Sequence, residues 1–336
     1  MKNGALSALM LAVCLLTDGQ RSIFAQGNPK LRPLRIALPS HSVTSAPVYI
    51  AKNLGIFEKY GFETQILLLE PRAALAALLT GDLDFYTAAG TTGRAALRGV
   101  PVRVVMVALN RPEQCVVAAK EFTSVELLRG KTVGGYTAQA SANIQLIEML
   151  RRKGLKPEEY KILNMGTNRA SALISGQIPA AVLTAVEAAR LTRQGFRVLV
   201  RASDGIESSS GGLGTAIASL QNKRDVMRAA VQGAMEGLLI AATQRERVIP
   251  VYMKQFAVNS EEAGYLYDHV AGSWSADGRP SVNATKTDFE MTQRDMGLKE
   301  PPRLEQIYDF SLLDEIFGSF DTIINVLPHL LGPYAN

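Results

Sequence analysis

A chain of 336 residues, 47% hydrophobic and 20% charged, is long for one domain and comfortable for two, with ample material for a core. Burying roughly three quarters of the unfolded surface, as chains of about 300 residues do, makes a disulfide or metal staple unnecessary. The formal charge of +5 is basic, yet Lys and Arg are scattered and no run interleaves them with aromatics, so nucleic-acid binding is unsupported.

Met1 and Lys2 precede "GALSALMLAVCLL", apolar to Leu16, and then a polar stretch and "SIFAQ". A basic start, a short apolar run and a small residue at Ala25 fit a secretory signal cut after Ala25. The run is too short to span a bilayer. A buried N-terminal helix is the structural alternative. A lipoprotein signal ending before Cys14 is disfavoured by the bulky Val13. No later stretch is long and apolar enough to cross a membrane, so a soluble periplasmic protein is expected. After the signal, Cys115 is the sole cysteine, which excludes an intramolecular disulfide. Its apolar setting, "QCVVAA", reads as core rather than nucleophile.

"LRIALP" (34–39) reads as a buried strand, "SHSVTSAP" as a loop and "VYIAKNLGIFEKYG" as a helix. "FETQILLLE" is the next strand and "RAALAALLTG" the next helix. "LDFYTAA" is a strand, "GTTG" a loop leading to a helix through Leu97, and "VRVVMVAL" a strand. From Lys131 the order repeats. "KTVGGY" is a strand, "TAQASA" a loop, and "NIQLIEMLRRKG" a helix with Ile144, Ile147 and Leu150 on one face. "EYKILNM", "IPAAVLTA" and "FRVLVRA" are strands, separated by the helices "NRASALISG" and "VEAARLTRQG". Strands alternating with helices predict a mostly parallel sheet in each half. "ALLTGDLDFYTA" even aligns with "ALISGQIPAAVL". The extended segments "NRPEQCVVAAK" and "ESSSGGLGTAIAS" suit two crossings between the halves, a hinge beside a cleft. The expected fold is α/β: two Rossmann-like lobes joined by two hinge strands. The lobes take residues 34–112 and 113–214, and 215–330 returns to lobe 1 with C-terminal helices.

In open α/β sheets the ligand lies beyond the carboxyl ends of the strands. That rule selects "SHSVTSA" (40–46), "GTT" (90–92), "YTAQAS" (136–141) and "TAVE" (184–187). The candidate ligand-binding residues are Ser40, His41, Thr44, Ser45, Gly90, Thr91, Thr92, Tyr136, Thr137, Gln139, Ser141, Thr184 and Glu187. Hydroxyls and helix starts together favour a small anionic or strongly polar group, each helix start contributing about 0.3–1 kcal/mol. Plain helix capping is the structural alternative for each Ser and Thr. His41 either faces the cleft or is solvated, and Tyr136 either stacks on a flat ligand or covers the sheet end. Glu187 caps its helix or accepts from a ligand. Arg94 and Arg169 could each pair a carboxylate or sulfonate, though solvated surface is the expectation for both.

"APVYIAKNLGIFEKYGFE" resembles the opening of the periplasmic substrate-binding proteins of the nitrate, sulfonate and taurine type, which share the type II periplasmic-binding fold with the thiamine-pyrimidine group. Ala46, Pro47, Tyr49, Ala51, Lys52, Gly55, Ile56, Phe57 and Glu58 fit that pattern. "ALLTGDLDF", "ALRGVPVRVVMVAL", "LRGKTVGGY", "GLKPEEYKILNMG", "ALISGQIPAAVL" and "DFSLLDEI" follow in the family's order, covering roughly residues 34 to 317. Two places depart: Pro179 stands where the first repeat keeps Asp84, and "AVEAA" keeps only Glu187 of a frequent Trp-Glu-Pro. The resemblance implies a monomer capturing a small-molecule ligand for the membrane permease of an ABC transporter. A ligand sensor for a membrane receptor is the neighbouring reading.

Motifs for catalysis are missing. There is no HExxH, CxxC, GxSxG or GxxxxGK[ST], and the histidines are His41, His269 and His329. No cofactor or metal is expected. Relatives of this fold include enzymes of the thiamine-pyrimidine and menaquinone type. The former carry a cysteine cluster absent here, and both act inside cells. A non-enzyme is therefore the expectation.

Overall fold

The computed structural model describes residues 31–318, Gln139 excepted. The expected signal with its cut at Ala25, Cys14, His329 and the chain after 318 lie outside the described residues.

The first sheet opens with β1 (Arg32–Leu38), whose last three residues are buried as it enters the core. Its parallel neighbours are β2 (Phe62–Leu68) and β3 (Phe85–Tyr86). Between β1 and β2 lie α1 (Ala46–Asn53) and α2 (Ile56–Lys59). The single helix expected over 48–61 is thus two, because Gly55 turns the chain through the left-handed region at φ 70°. α3 (Pro71–Thr80) links β2 to β3. α4 (Ala89–Leu97) leads to β4 (Val102–Leu109).

The chain then crosses to a second sheet. β5 (Cys115–Ala118) is followed by β6 (Thr132–Gly135), α5 (Ser141–Arg152), β7 (Lys161–Asn164), α6 (Arg169–Ile174), β8 (Ala180–Leu183), α7 (Ala185–Thr192) and β9 (Arg197–Arg201). It returns with β10 (Ser210–Ala216), which enters the first sheet antiparallel between β3 and β4. The two orders are β2-β1-β3-β10-β4 and β7-β6-β8-β5-β9. Each is one plan: three parallel strands, then an antiparallel strand delivered by the other lobe. This is the two-lobed α/β fold expected from the repeat.

The second crossing falls at 202–209, ahead of the expected boundary at 214. The extended segment "ESSSGGLGTAIAS", read as the crossing itself, gives the crossing only its first residues and from Ser210 is strand β10. A Cβ at Gly212 would lie 2.0 Å from the Met106 carbonyl oxygen, so that composition serves close strand packing. The crossings are tied to each other, Ala202 N–H donating to Gln114 O at 2.9 Å and Ser208 N–H to Asn110 O at 3.0 Å.

The remaining helices are α8 (Ile217–Asn222), α9 (Arg224–Thr243), α10 (Arg245–Phe256), α11 (Ser260–Val270), α12 (Val282–Met296) and α13 (Leu304–Ile307), with residues 311–318 also helical. α9 lies on α1 so closely that a Cβ at Gly237 would stand 2.2 Å from the Pro47 carbonyl oxygen. Tyr49, Phe57, Leu238, Tyr252 and Leu313 share the resulting core, which also takes in Ala185 and Val186 from the start of α7. The second sheet has smaller cores, one around Val133, Leu146 and Leu150 and another around Leu173 and Leu183. On α5 the buried stripe runs through Leu146, Met149 and Leu150, and Ile147 is only half-buried. Among the described residues no helix is long and apolar enough to cross a membrane.

Candidate functional site

The strand ends of both sheets face one cleft of about 460 Å³ of empty space. Pro39, Ser40, Tyr86, Ala88 and Thr91 line it from the first lobe, and Tyr136, Ala140, Ser141, Arg169 and Thr184 from the second. Two helix starts among these are unusual. α4 has Ala88 and α5 has Ala140 at the N-cap, and neither start receives a side-chain hydrogen bond. Ser, Thr, Asp or Asn normally accepts from these N–H groups, contributing about 1 kcal/mol. Two alanines there leave the first turns without a capping side chain, although Ala89 N–H donates to Thr87 O at 3.2 Å, and leave the positive dipole ends without an acidic residue in the first turn.

The sequence expectation placed Gly90, Thr91 and Thr92 in a loop and Ser141 in another. Both helices begin earlier, at Ala89 and Ser141. Without a capping side chain or proline, nothing in the sequence marked those starts.

Arg169 is not solvated surface, as expected, but 3% exposed. Its Nε donates to the Val182 carbonyl at 2.7 Å, Nη1 to Gly166 O at 2.6 Å and Nη2 to Glu187 Oε2 at 3.2 Å. The guanidinium lies 4.6 Å from the centre of the Tyr136 ring, a desolvated cation–π pair of the kind worth about 2 kcal/mol. The Tyr136 hydroxyl crosses the cleft to donate to Pro39 O at 2.6 Å and, more weakly, to Glu70 at 3.3 Å. Its ring therefore stands between the lobes as part of the cleft wall. Burial, then the Glu70 charge, pushes its phenol well above the ordinary range.

Thr184 caps α7 in a reciprocal box with Glu187: Glu187 N–H donates to Thr184 Oγ1 at 3.2 Å, and Thr184 N–H to Glu187 Oε2 at 2.8 Å. That makes Glu187 a capping and charge-pairing residue behind the wall. His41 is exposed and bonded to the Tyr49 hydroxyl at 3.0 Å; burial, then the Arg190 charge, lowers its pKa. Ser45 pairs with Thr87, and Thr44 with Ser42, away from the cleft wall. Thr92 turns its hydroxyl back to Ala88 O at 3.1 Å and packs on Gly214. Thr137 is half-buried and does not line the cleft. Gly90 faces a second space beyond Ser141, and Arg94, expected at the surface, is buried there. Gln139 lies outside the described residues.

Sequence reasoning missed Glu113, in the first crossing and 1% exposed. It accepts from the Ser42 hydroxyl at 2.7 Å and from the N–H of Ala185, the first residue of α7. One carboxylate thus holds the loop before α1 and the start of α7 together. Burial, only partly offset by these hydrogen bonds, pushes it up to about 7. A lone Glu after Arg-Pro carries no local signal of such a role. Cys115 is buried in β5 and burial pushes its thiol up, as fits a core cysteine.

Residues 42–247 match the family model described as "NMT1/THI5 like". The sulfonate-binding protein SsuA of Escherichia coli superposes with a TM-score of 0.66 at 17% identity, over 84% of this chain and 99% of its own. The nitrate-binding protein NrtA of Synechocystis PCC 6803 gives 0.68 at 11% identity, over 87% of this chain and 90% of its own. At such identities these neighbours establish the fold, that of periplasmic binding proteins. Among curated proteins, THI12 of Saccharomyces cerevisiae is 30% identical over 141 residues, 40% of this chain and 41% of its own length. A Schizosaccharomyces pombe relative is 30% identical over 136 residues, 39% of each chain. This chain therefore spans about two fifths of the curated relatives it matches. Both are named 4-amino-5-hydroxymethyl-2-methylpyrimidine phosphate synthase. That finding overturns the expectation of a non-enzyme: a missing catalytic motif does not exclude catalysis in a family whose members include named synthases. With its model matched over more than half of the chain, this protein belongs to the NMT1/THI5-like family.

Proposed function

We propose that this chain is exported to the periplasm, captures a small polar or anionic organic molecule between its lobes and hands it to the permease of an ABC importer. The lobes in this reading are 34–109 with 210–318, and 115–201. One observation carries it: α4 and α5, with alanine at the N-cap, turn first turns that no side chain caps toward a cleft that also holds the Arg169 guanidinium. An anion there gains fixed donors from both lobes at once, so binding favours the closed arrangement by its differential contacts. Sulfonate- and nitrate-binding neighbours support the same ligand chemistry. Chemistry on the captured molecule is the second reading, favoured by the synthases among the curated relatives.

A thermal-shift screen of the purified chain over sulfonates, carboxylates, nitrate, pyrimidines and aromatic acids should find a stabilising ligand. Small-angle scattering should then show compaction with it, and product analysis on the same mixture separates capture from turnover. Replacing both Tyr136 and Thr91 by Ala should abolish the compaction; unchanged affinity in that variant refutes this placement of the site.

A further inference from the structure

When one lobe turns against the other, the rim farthest from the crossings travels most. The crossings join β4 to β5 and β9 to β10, and β2 and β7 are the outermost strands at the opposite edges of the two sheets. The residues that follow those two strands meet. A Cβ on Gly166, just past β7, would lie 3.5 Å from Oε1 of Glu70, just past β2. This is the mouth of the cleft.

Along α7 the lobes are joined by many contacts at once. Ala185 and Val186 belong to the core of the first lobe, and Glu113 ties Ala185 N–H to the Ser42 hydroxyl. Arg190 donates to the Phe256 carbonyl at the end of α10, and Arg193 pairs with Glu262 of α11 at 2.7 Å. On the other face Arg294 of α12 meets Glu148 of α5 at 3.0 Å. Arg151 and Arg152 already hold that carboxylate from its own helix, and Arg294 is half-exposed, so this pair adds little.

At the mouth the hydrogen bonding across the gap runs through the Tyr136 hydroxyl. The rest of Tyr136 is pinned to the second lobe. Its N–H donates to Asn143 Oδ1 at 2.7 Å, its carbonyl accepts from Gly166 N–H at 2.9 Å, and its ring lies on the Arg169 guanidinium. The hydroxyl reaches the first lobe, at 2.6 Å from Pro39 O and 3.3 Å from Glu70 Oε1. A rigidly held ring with one donor at its tip bonds the opposite lip only when the lobes are together. We propose that the Tyr136 hydroxyl is a catch that biases the ligand-free lobes toward the closed arrangement, and that a ligand enters when this hydroxyl leaves Pro39. The catch acts before any ligand binds and so stands apart from the capture reading.

Thr91 is 3% exposed on the cleft wall, and cysteine is close to it in size. In a purified Thr91→Cys chain without ligand, iodoacetamide reaches the new thiol in proportion to the open fraction when opening outpaces alkylation. Peptide mass spectrometry reads position 91 and the buried Cys115 in the same sample, and slow alkylation of Cys115 certifies that the chain is folded. Adding Tyr136→Phe keeps the ring on Arg169 and removes the hydroxyl. It should speed alkylation at position 91 about three- to tenfold, the effect of one net hydrogen bond, with the rate at Cys115 unchanged. Equal rates at position 91 with and without Tyr136→Phe overturn the proposal. An equal rise at Cys115 overturns it as well, because the hydroxyl would then support the fold rather than the mouth. No ligand enters the measurement, so either failure leaves the capture reading intact.

Discussion

In the first lobe the helix start after β3 carries Ala88 at its cap and no acidic residue in its first turn. The equivalent start after β8 in the second lobe carries Thr184, boxed with Glu187 and backed by Arg169. The strand plan is the same, but the electrostatics are not. The second lobe holds a fixed, desolvated cation whose partners are all within that lobe. The cleft wall of the first lobe presents helix-start N–H groups and hydroxyls, its buried cation Arg94 standing on the far side of Gly90, and a large core lies under α1, α9 and α10. Twin topology thus constrains where a ligand can sit, and the unequal side chains decide what each half contributes.

That contrast can be broken at four points. The largest effect is expected in the first-lobe core: Phe57→Ala should cost about 3–5 kcal/mol in urea unfolding, the usual range for emptying a buried aromatic site. A much smaller loss would mean that the first lobe is not the scaffold. Next comes Arg169→Met, which keeps the bulk but leaves Glu187 with only its capping partners. It should destabilise by about 2 kcal/mol, below the range for a fully buried pair because Glu187 is partly exposed, and remove anion binding in titration. Arg169→Lys should not restore binding, since an ammonium cannot reproduce the fork to two carbonyls and a carboxylate while stacked on Tyr136.

Glu113 supplies a pH test of the joint between the lobes. Its folded pKa, about 7, lies above the ordinary 4.5. Its contribution to stability is therefore fully present below about 4.5 and declines as pH rises to about 7, by at most about 1.4 kcal/mol per pH unit. The difference between wild type and Glu113→Gln, followed by thermal unfolding across that window, should show this slope; a flat difference refutes the assignment. The smallest effects concern the caps. Thr184→Ala should cost about 1 kcal/mol. Ala88→Ser should stabilise the free protein by a similar or smaller amount and weaken the ligand, because the new hydroxyl claims the donors that the ligand would use. Tighter binding by Ala88→Ser would contradict the open helix start.

Much of the plan was legible before any coordinates. The repeated order from "LRIALP" and again from "KTVGGY" predicted twin sheets because alternation of strand and helix periods is a local property. "SHSVTSA", "GTT", "YTAQAS" and "TAVE" were legible as strand-end turns for the same reason. Inside those turns the reading weakened. Ser40, Thr91, Tyr136, Ser141 and Thr184 line the cleft, whereas His41, Thr44, Ser45, Thr92 and Glu187 are spent on caps, hydroxyl pairs and packing, and the Thr137 hydroxyl is buried away from it. Which way a hydroxyl in a turn points depends on the partner that reaches it. Thr92 faces Gly214 from a strand more than a hundred residues later.

The sequence by itself determined the alternation, the two crossings and the ends of the sheets that bear loops, because these follow from hydrophobic period and turn chemistry within a few residues. Only the tertiary structure decided that Arg169 is buried on Tyr136, that Glu113 ties a loop of one lobe to a helix of the other, and that Arg94 is buried beyond Gly90. Each depends on the close approach of segments distant in sequence, and the cost of desolvating a charge or an amide is set by what arrives there.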